Sequence, residues 1–279
     1  MKINGLRAIK ACFRKSDRVF RRLTANKRSL PNFIIIGAQK SGTSSLFWYL
    51  SQHPQIRSSF VKEVHFFDGG LDPAINNFSK GVGWYRAHFP IENRKFITGE
   101  ASPLYIFNPL VPERIHNVLP GVKLIAVLRN PVERAISHYF HEKRKGREEK
   151  PILEALELEE ERLRPILEQY DYKSEIFKNK SYKSRGLYKK QLERFLDYFS
   201  WDQILILSSE DLFTNSKDTL EKTFHFLKVD PSVNILNLDP KNVGSNRTKV
   251  EQRVYDYLVG HFASPNQELY DFIGHDLGW

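Results

Sequence analysis

The sequence predicts a single α/β domain in which a mainly parallel central sheet is flanked by helices. Short apolar runs alternate along the chain with longer amphipathic segments, an order that builds βαβ units. The first apolar run leads through a loop of small residues, "GAQKSGTSS", into a helical segment, as a phosphate-binding loop does. A length of 279 residues suits one domain, with or without an extension.

The predicted strands are short apolar runs, as expected for strands buried in a parallel sheet. They are "NFIIIG" (32–37), "EVHFF" (63–67), "KFITGE" (95–100), "KLIAVLR" (123–129) and the beginning of "QILILSSEDL" (203–212). The last of these runs continues past its strand into a turn and a short helix.

Proline marks the ends of the helices predicted between the first four strands. The first helix begins at Thr43 and ends near His53, because Pro54 cannot continue it. The segment "VPERIHNVLP" (111–120) predicts a second helix, with a proline near its start and another near its end.

The segment "NPVERAISHYFHEKRKG" (130–146) carries a full set of helix signals. Asn130 is a good N-cap, Pro131 fits the first turn, and Gly146 lies just past the end. A highly charged segment, 147–184, follows, and its part "PILEALELEEERLRPILEQY" is predicted to be helical. Further helices are predicted at 186–199, 216–229 and 248–274.

The net charge of +10 is concentrated in a basic N-terminal extension, residues 1–30. This extension holds ten Lys/Arg and one acid, Asp17, a net charge of +9, so residues 31–279 are nearly balanced. A balanced body argues against a nucleic-acid partner, although the total charge alone would suggest one. We expect residues 31–279 to form the folded domain.

Two interpretations of the extension stay open. Its apolar residues among basic ones could form a helix that lies on an anionic membrane surface, or a solvated helix packed on the domain. The extension has no apolar run of the ~7–15 residues that a signal peptide needs. Cys12 is the only cysteine, so no intrachain disulfide is possible. We therefore expect a cytoplasmic protein, with peripheral contact at the inner membrane face as the variant.

The small-residue loop differs from a nucleoside-triphosphate site in the position of its lysine. Gly37 and Gly42 keep the spacing of the G-x-x-x-x-G-K-[ST] pattern, but Thr43 stands where its lysine would be. The loop's own lysine is Lys40, and no apolar strand ends in an obvious magnesium-binding aspartate. A ligand that needs a cation on a bridging oxygen of its 5′ group suits this loop better than a triphosphate.

Several stretches together resemble the sulfotransferases that use 3′-phosphoadenosine 5′-phosphosulfate (PAPS). "GAQKSGTSSL" is similar to their 5′-phosphosulfate loop, and "LRNPVERAISHYF" (128–140) to their 3′-phosphate motif. "KEVHFFD" (62–68) and "GVGWYRAHFP" (81–90) resemble the heparan sulfate glucosamine sulfotransferases. "GEASPLY" (99–105) and the terminal "GHDLGW" are also typical of this group, and the resemblance covers residues 31–279.

The resemblance implies PAPS as co-substrate, 3′,5′-phosphoadenosine (PAP) as product and no metal. Lys40 would stabilise the charge that develops on the leaving oxygen. Arg129 and Ser137 would hold the 3′-phosphate from a strand end and the following helix; the alternative for Arg129 is a surface ion pair with Glu133. The remaining predicted contacts of the 5′ side are Ser41, Gly42, Thr43 and Ser44.

Glu63 is the predicted general base, because an acceptor hydroxyl needs a carboxylate to take its proton. His65 shares a face with Glu63 if the segment is a strand, and is predicted to support it. In sulfotransferases that act on small molecules a histidine is the base, so His65 remains an alternative. A purely structural hydrogen bond between the two would give the same pattern.

Five further residues are predicted at the edges of the site. Lys62, Trp84 and Arg86 would meet the acceptor, and ordinary surface charge or core packing of Trp84 is the alternative. Arg247 and Lys249 lie in a polar loop that closes over the cofactor in relatives. That loop departs from the lysine–glycine–arginine of the animal heparan enzymes, and a simple helix-capping loop explains it equally well.

The predicted function is transfer of a sulfuryl group to a hydroxyl or amine, on a saccharide or glycolipid. The alternatives are a P-loop kinase or NTPase and a non-catalytic domain that binds an anionic ligand. No metal site is expected, because the nine histidines lack ligand spacing. The sequence identifies neither the acceptor nor the oligomeric state.

Overall fold

A sheet of five parallel strands lies at the centre of the structure, a computed structural model that describes residues 17–242 and 249–279. The strands are β1 (Phe33–Gly37), β2 (Ile56–Ser58), β3 (Ile97–Ala101), β4 (Lys123–Leu128) and β5 (Ile204–Ser208). Their order across the sheet is β2-β3-β1-β4-β5. The predicted α/β domain with a parallel sheet is confirmed. Because parallel strands end at the same edge, the loops after them converge there.

Eleven labelled helices pack around this sheet within the described residues, in addition to the helical residues 17–23. They are α1 (Thr43–Ser51), α2 (Gly81–Arg86), α3 (Val111–Val118), α4 (Pro131–Arg144), α5 (Ile152–Glu157), α6 (Glu159–Glu168), α7 (Glu175–Asn179), α8 (Tyr188–Leu196), α9 (Ser209–Thr214), α10 (Ser216–Leu227) and α11 (Gln252–Ile273). None of them combines the length and hydropathy needed to cross a membrane.

The capping signals of α4 are confirmed. The Asn130 side chain accepts a hydrogen bond from the backbone N–H of Val132 at 3.0 Å, and Pro131 is the first helical residue. Gly146, just past the helix, has a φ of +68°, in the left-handed region that glycine tolerates best. These local interactions fix the direction in which α4 leaves the end of β4.

The two faces of the sheet are buried in separate cores. Ile34 and Ile36 of β1 pack on one side with α3 and α8. Phe33 and Ile35 pack on the other side with α1 and α10. Burial on both faces explains why β1 is an uninterrupted apolar run.

The predicted strand at 63–67 is wrong. Glu63 and His65 have φ values of +62° and +50°, so the backbone turns twice where a strand would be extended. Val64, Phe66 and Phe67 are all buried, so the apolar side chains do not alternate between a core face and a solvent face. The edge strand is instead β2, which pairs with β3.

The end of the basic extension is attached to the domain. Arg28 is 3% exposed and its Nη1 donates to the carbonyl of Phe89 at 2.8 Å. Leu30 packs against the core that contains α3 and α8. The division into residues 1–30 and 31–279 stays a prediction, and Cys12 lies outside the described residues.

Candidate active site

A cleft of about 1110 Å³ opens where the strands end. Its walls come from the loops after all five strands, from α4 and α7, and from the segment 238–242. This is the edge at which ligands bind in open α/β sheets. The predicted site residues that line it are Lys40, Gly42, Thr43, Ser44, Glu63, His65, Arg129 and Ser137.

The phosphate loop, residues 37–44, makes a tight turn between β1 and α1. Gly42 is the N-cap of α1 with a φ of +90°, and a Cβ there would lie 3.0 Å from the ring of Phe213. The first turn of a helix has N–H groups without intrahelical acceptors, and Thr43 and Ser44 of this turn face the cleft. The loop therefore presents an anion site. Ser41 is buried and does not line the cleft.

Lys40 is surrounded by other cations. Burial lowers the pKa of its ammonium, and the nearby charges of Arg144 and Arg129 lower it further. Among the described residues, Lys40 Nζ has no hydrogen bond or ion pair, although it lines the cleft. A half-buried cation in this setting is stabilised by a bound anion.

Arg129 connects the second predicted anion pocket to the first. Its Nη1 donates to the carbonyl of Lys40 at 3.1 Å, and its own carbonyl accepts from the Tyr188 hydroxyl at 2.8 Å. The ion pair with Glu133 is also present, at 3.5 Å. Ser137 lies further along α4 and lines the same cleft as Arg129. The two anion pockets thus belong to one cavity.

The loop of residues 62–68 contains both predicted proton-transfer residues, and for that prediction we call it the catalytic loop. It holds an imidazole between two carboxylates. His65 Nδ1 lies 2.6 Å from Asp68 Oδ2, and His65 Nε2 lies 3.3 Å from Glu63 Oε2 without an aligned hydrogen bond. Lys62 contacts the other Glu63 oxygen. His65 and Asp68 are buried, whereas the Glu63 side chain is 41% exposed and faces the cleft.

The charges of this loop separate the two candidate bases. Burial works against a charged His65, but its contacts with Asp68 and Glu63 prevail and raise its pKa to about 10. Burial likewise opposes ionisation of Glu63, but His65 and Lys62 lower its pKa to about 2. At neutral pH His65 is therefore a cation without a free lone pair, and Glu63 is a carboxylate that can accept a proton.

Sequence reasoning missed Asp68 and the basic rim of the cleft. Asp68 follows His65 by three residues in "KEVHFFD", a spacing that could have indicated a partner for the imidazole. The rim residues at the end of α4 occupy the helical positions that follow Ser137, so helical spacing could have placed them in the cleft. The rim residues are Arg144, Lys145, Arg147 and Lys178.

Lys62, Trp84, Arg86 and Lys249 are predicted site residues that do not line the cleft. Trp84 packs partly buried against the core, with Lys80 Nζ 4.8 Å from its ring centre. Arg86 Nη1 donates to the carbonyl of Arg28 at 2.8 Å, and neither side chain lines the cleft. Lys249 is exposed outside the cleft, and Arg247 lies outside the described residues. In the part of the chain that the structure describes, no cluster of His, Cys, Asp and Glu could hold a metal ion.

Comparison with known proteins identifies the family of the chain. The family model for the sulfotransferase domain matches residues 30–254. The membrane-associated sulfotransferase kil1 of Dictyostelium discoideum is 27% identical over 90% of this chain and 66% of its own length. The mouse heparan sulfate glucosamine 3-O-sulfotransferase 5 is 29% identical over 90% of this chain and 75% of its own length.

A solved structure extends the comparison to the fold. The sulfotransferase of Alicyclobacillus acidocaldarius is 31% identical, with a TM-score of 0.69, and the match covers 89% of this chain and 98% of that one. These matches do not favour a kinase. The chain spans two thirds to three quarters of the Dictyostelium and mouse relatives. The chain belongs to the sulfotransferase family.

Proposed function

We propose that the protein transfers a sulfuryl group from PAPS to a hydroxyl or amine of a saccharide acceptor. The observation that carries the proposal is the single cleft shared by the phosphate loop, the Arg129 pocket and the ionised Glu63. PAPS supplies the sulfuryl group: its sulfur–oxygen bond to the phosphate breaks, with the electron pair leaving on the phosphate oxygen, as the bond to the acceptor forms. The chain supplies position, charge and a proton acceptor.

The two anion pockets divide the cofactor between them. The first turn of α1, with Thr43 and Ser44, binds the 5′ side, and Lys40 lies against the leaving oxygen. Arg129 and Ser137 bind the 3′-phosphate. The fit is supported by the partnerless Lys40 ammonium and by the absence of a lysine at Thr43, the position that a triphosphate site requires.

Glu63 takes the proton of the acceptor in this proposal. Its low pKa makes it a weak base towards a free hydroxyl, so the proton moves as the new sulfur–oxygen bond forms and the hydroxyl becomes more acidic. His65 holds one Glu63 oxygen through its fixed positive charge, and Asp68 holds His65. Lys62, which contacts Glu63, is the acceptor-side cation nearest to this transfer.

A saccharide acceptor is supported by the relatives, because the mouse relative is named for heparan sulfate glucosamine. The basic rim, defined above by Arg144, Lys145, Arg147 and Lys178, gives the cleft a positive entrance. A positive entrance raises the local concentration of acidic molecules. We expect acidic saccharides to be better acceptors than neutral ones.

Calorimetry with PAP and with ATP·Mg²⁺ tests the cofactor. We expect PAP to bind and ATP·Mg²⁺ to bind far more weakly. Tight binding of ATP·Mg²⁺ without binding of PAP would overturn the proposal. Transfer of radiolabelled sulfate from PAPS to acidic and neutral polysaccharides then tests the acceptor, and labelling of proteins or small phenols alone would contradict the saccharide class.

We also propose that the extension contacts an anionic membrane surface. Val19, Phe20 and Leu23 are exposed on the helical residues 17–23, beside the exposed Phe60 and Val61 of the segment that enters the catalytic loop. The guanidinium of Arg21 stacks on the Phe60 ring at 4.8 Å and joins the two parts of this apolar patch. Basic residues flank the patch: Arg18 and Arg22. Apolar side chains ringed by cations suit an anionic lipid surface.

Vesicle flotation tests this contact. The protein should float with phosphatidylcholine vesicles that contain phosphatidylglycerol and not with phosphatidylcholine alone. Leu23→Glu should abolish flotation, whereas Val259→Glu, at an exposed apolar residue on α11, should not. Equal flotation of both variants, or flotation with neutral vesicles alone, would contradict the proposal.

A further inference from the structure

We infer that Glu100 is a positioning residue. It holds the catalytic loop in its active conformation from the buried side of the loop, without touching any substrate. Glu100 lies in β3, is completely buried, and does not line the cleft. The inference rests on the proposed function in one respect, namely that Glu63 and His65 are the groups that need to be held.

Three hydroxyl groups surround the Glu100 carboxylate. Its Oε1 accepts from Tyr85 at 2.7 Å and from Tyr105 at 3.3 Å, and its Oε2 accepts from Ser102 at 2.7 Å. No ion pair to Glu100 is present among the described residues. Burial raises the pKa of Glu100, and the hydrogen bonds from Tyr85 and Ser102 act against this by stabilising the carboxylate. All three hydroxyl protons are thus donated to one side chain.

Two of these hydroxyls also support the catalytic loop. The Tyr105 oxygen accepts from the backbone N–H of Phe66 at 2.9 Å and of Phe67 at 3.3 Å. The Ser102 oxygen accepts from the backbone N–H of His65 at 3.4 Å. Three consecutive N–H groups of the loop therefore end on hydroxyls whose protons point at Glu100.

Glu100 sets the direction of these hydrogen bonds. A hydroxyl has one proton, so a hydroxyl that donates to Glu100 turns only its lone pairs towards the loop. An amide at this position would place its N–H₂ group against the tyrosine hydroxyls or against Ser102. Tyr105 already accepts from two loop N–H groups and has no lone pair left for that group, and Ser102 would lose the acceptor of its own proton. A carboxylate avoids this conflict at both hydroxyls that support the loop.

The catalytic loop needs such support because its backbone is not held by a strand ladder. Glu63 and His65 both lie in the left-handed region, which side chains other than glycine rarely adopt. The Glu63 N–H reaches the carbonyl of Ala101 at 3.0 Å, and the next N–H groups with partners depend on Ser102 and Tyr105. Loosening them would separate His65 from Glu63 and Asp68.

A matched pair of tyrosine variants tests the inference. Tyr85→Phe and Tyr105→Phe each remove one hydroxyl from Glu100 Oε1, but only Tyr105 also binds the loop. We expect Tyr105→Phe and Glu100→Gln to speed amide hydrogen exchange of Phe66 and Phe67 by about tenfold or more. Tyr85→Phe should leave these rates close to those of the wild type.

The imidazole of His65, followed by nuclear magnetic resonance, gives a second readout. In Tyr105→Phe and Glu100→Gln its pKa should fall from about 10 towards the ordinary value, because the ring leaves its two carboxylates. Wild-type exchange rates and titration in both variants would overturn the inference, and so would equal effects of the two tyrosine variants. If Glu100→Gln does not fold, the tyrosine pair decides.

The two proposals fail in different ways. The exchange and titration measurements need neither PAPS nor an acceptor, so they test Glu100 even if the proposed function is wrong. If Glu100 holds the loop and Glu63 is the base, Tyr105→Phe should lower sulfuryl transfer while PAP affinity stays within about threefold of the wild type. Altered exchange with unaltered transfer would leave Glu100 a loop anchor and remove Glu63 and His65 from the reaction.

Discussion

The phosphate loop and the catalytic loop face each other across one cleft but are built in opposite ways. The phosphate loop joins β1 to α1, and its backbone is held by regular neighbours: Ala38 donates to the carbonyl of Val127 at 2.8 Å. The catalytic loop lies beside the end of β3 and is held by side chains of buried residues. One loop depends on secondary structure. The other depends mainly on side chains: the hydroxyls of Ser102 and Tyr105 accept from its N–H groups, and Asn77 and Arg114 donate to its carbonyls.

Their charges differ in the same way. Among the described residues Lys40 forms no ion pair or hydrogen bond, and the cations around it outweigh the nearby carboxylate of Glu142, so a bound ligand completes the electrostatics of the phosphate loop. His65 already lies between Glu63 and Asp68, so the catalytic loop is balanced before any ligand arrives. Changes in the first loop should therefore affect ligand affinity, and changes in the second should affect turnover and the loop itself.

The largest effect should come from Glu63→Gln, which removes the proton acceptor and keeps the side-chain shape. Sulfuryl transfer should fall by roughly 10²–10⁴-fold, the usual contribution of a general base. Calorimetry should give an unchanged PAP affinity, because the phosphate loop is intact. Glu92→Gln, on an exposed segment, is the matched control. Unchanged transfer in Glu63→Gln would give the role of the base to another group.

This contrast also explains which parts of the molecule the sequence predicts. Strands β1, β4 and β5 are predicted because buried parallel strands are apolar runs. Strand β3 is also predicted, although Thr98, Gly99 and Glu100 interrupt its apolar sequence. Strand β2 is not predicted, since it has three residues, of which Arg57 and Ser58 are polar. The run 63–67 is apolar for another reason: its side chains fill the core beneath an irregular loop.

The site residues also differ in whether the sequence predicts them. Lys40, Arg129 and Ser137 follow strand ends, so their common location in the cleft follows from parallel topology. Asp68 and Glu100 act through contacts made by left-handed turns and by hydroxyls distant in sequence, which no local pattern encodes. The acceptor-side predictions Trp84 and Arg86 were drawn from a short motif alone, and both side chains lie outside the cleft.

Lys40→Met should have the second largest effect, and it tests the role of the phosphate loop. Removing this charge should lower transfer by about 10²–10³-fold, as the loss of one transition-state donor does. Unlike Glu63→Gln, it should also weaken PAP, because the charge of the bound ligand loses its counterion. Lys190→Met, on the exposed face of α8, serves as the control. Equal PAP affinity in Lys40→Met and the wild type would contradict the view that a bound ligand supplies the counterion of Lys40.

The pH dependence of stability tests whether the catalytic loop is balanced without ligand. The folded pKa of His65, about 10, lies above its unfolded value, so its contribution is complete below about pH 6.5 and is lost as pH rises through 10. The free energy of unfolding of the wild type should therefore fall relative to that of His65→Asn as the pH rises across this window, by at most about 1.4 kcal/mol per pH unit.

Urea unfolding at several pH values measures this difference. His225→Asn, at an exposed histidine of α10, controls for the general effect of the substitution. A wild-type advantage in the free energy of unfolding that grows as pH rises towards 6.5, and stays constant above it, would mean that the folded protein holds His65 neutral. In that case His65, and not Glu63, would be the group able to accept a proton.

Ser137→Ala should have the smallest effect, and it distinguishes the Arg129 pocket from the phosphate loop. One hydroxyl on a charged phosphate contributes about 1.5–3 kcal/mol, so PAP affinity should fall roughly 10- to 100-fold at most. Affinity for 5′-AMP, which lacks the 3′-phosphate, should not change, because Ser137 is eight residues past Arg129 on α4 and not in the phosphate loop. Ser79→Ala, on an exposed turn, should change neither affinity. If Ser137→Ala weakened both nucleotides equally, the second pocket would not be reading the 3′-phosphate, and one nucleotide would not bridge the two pockets.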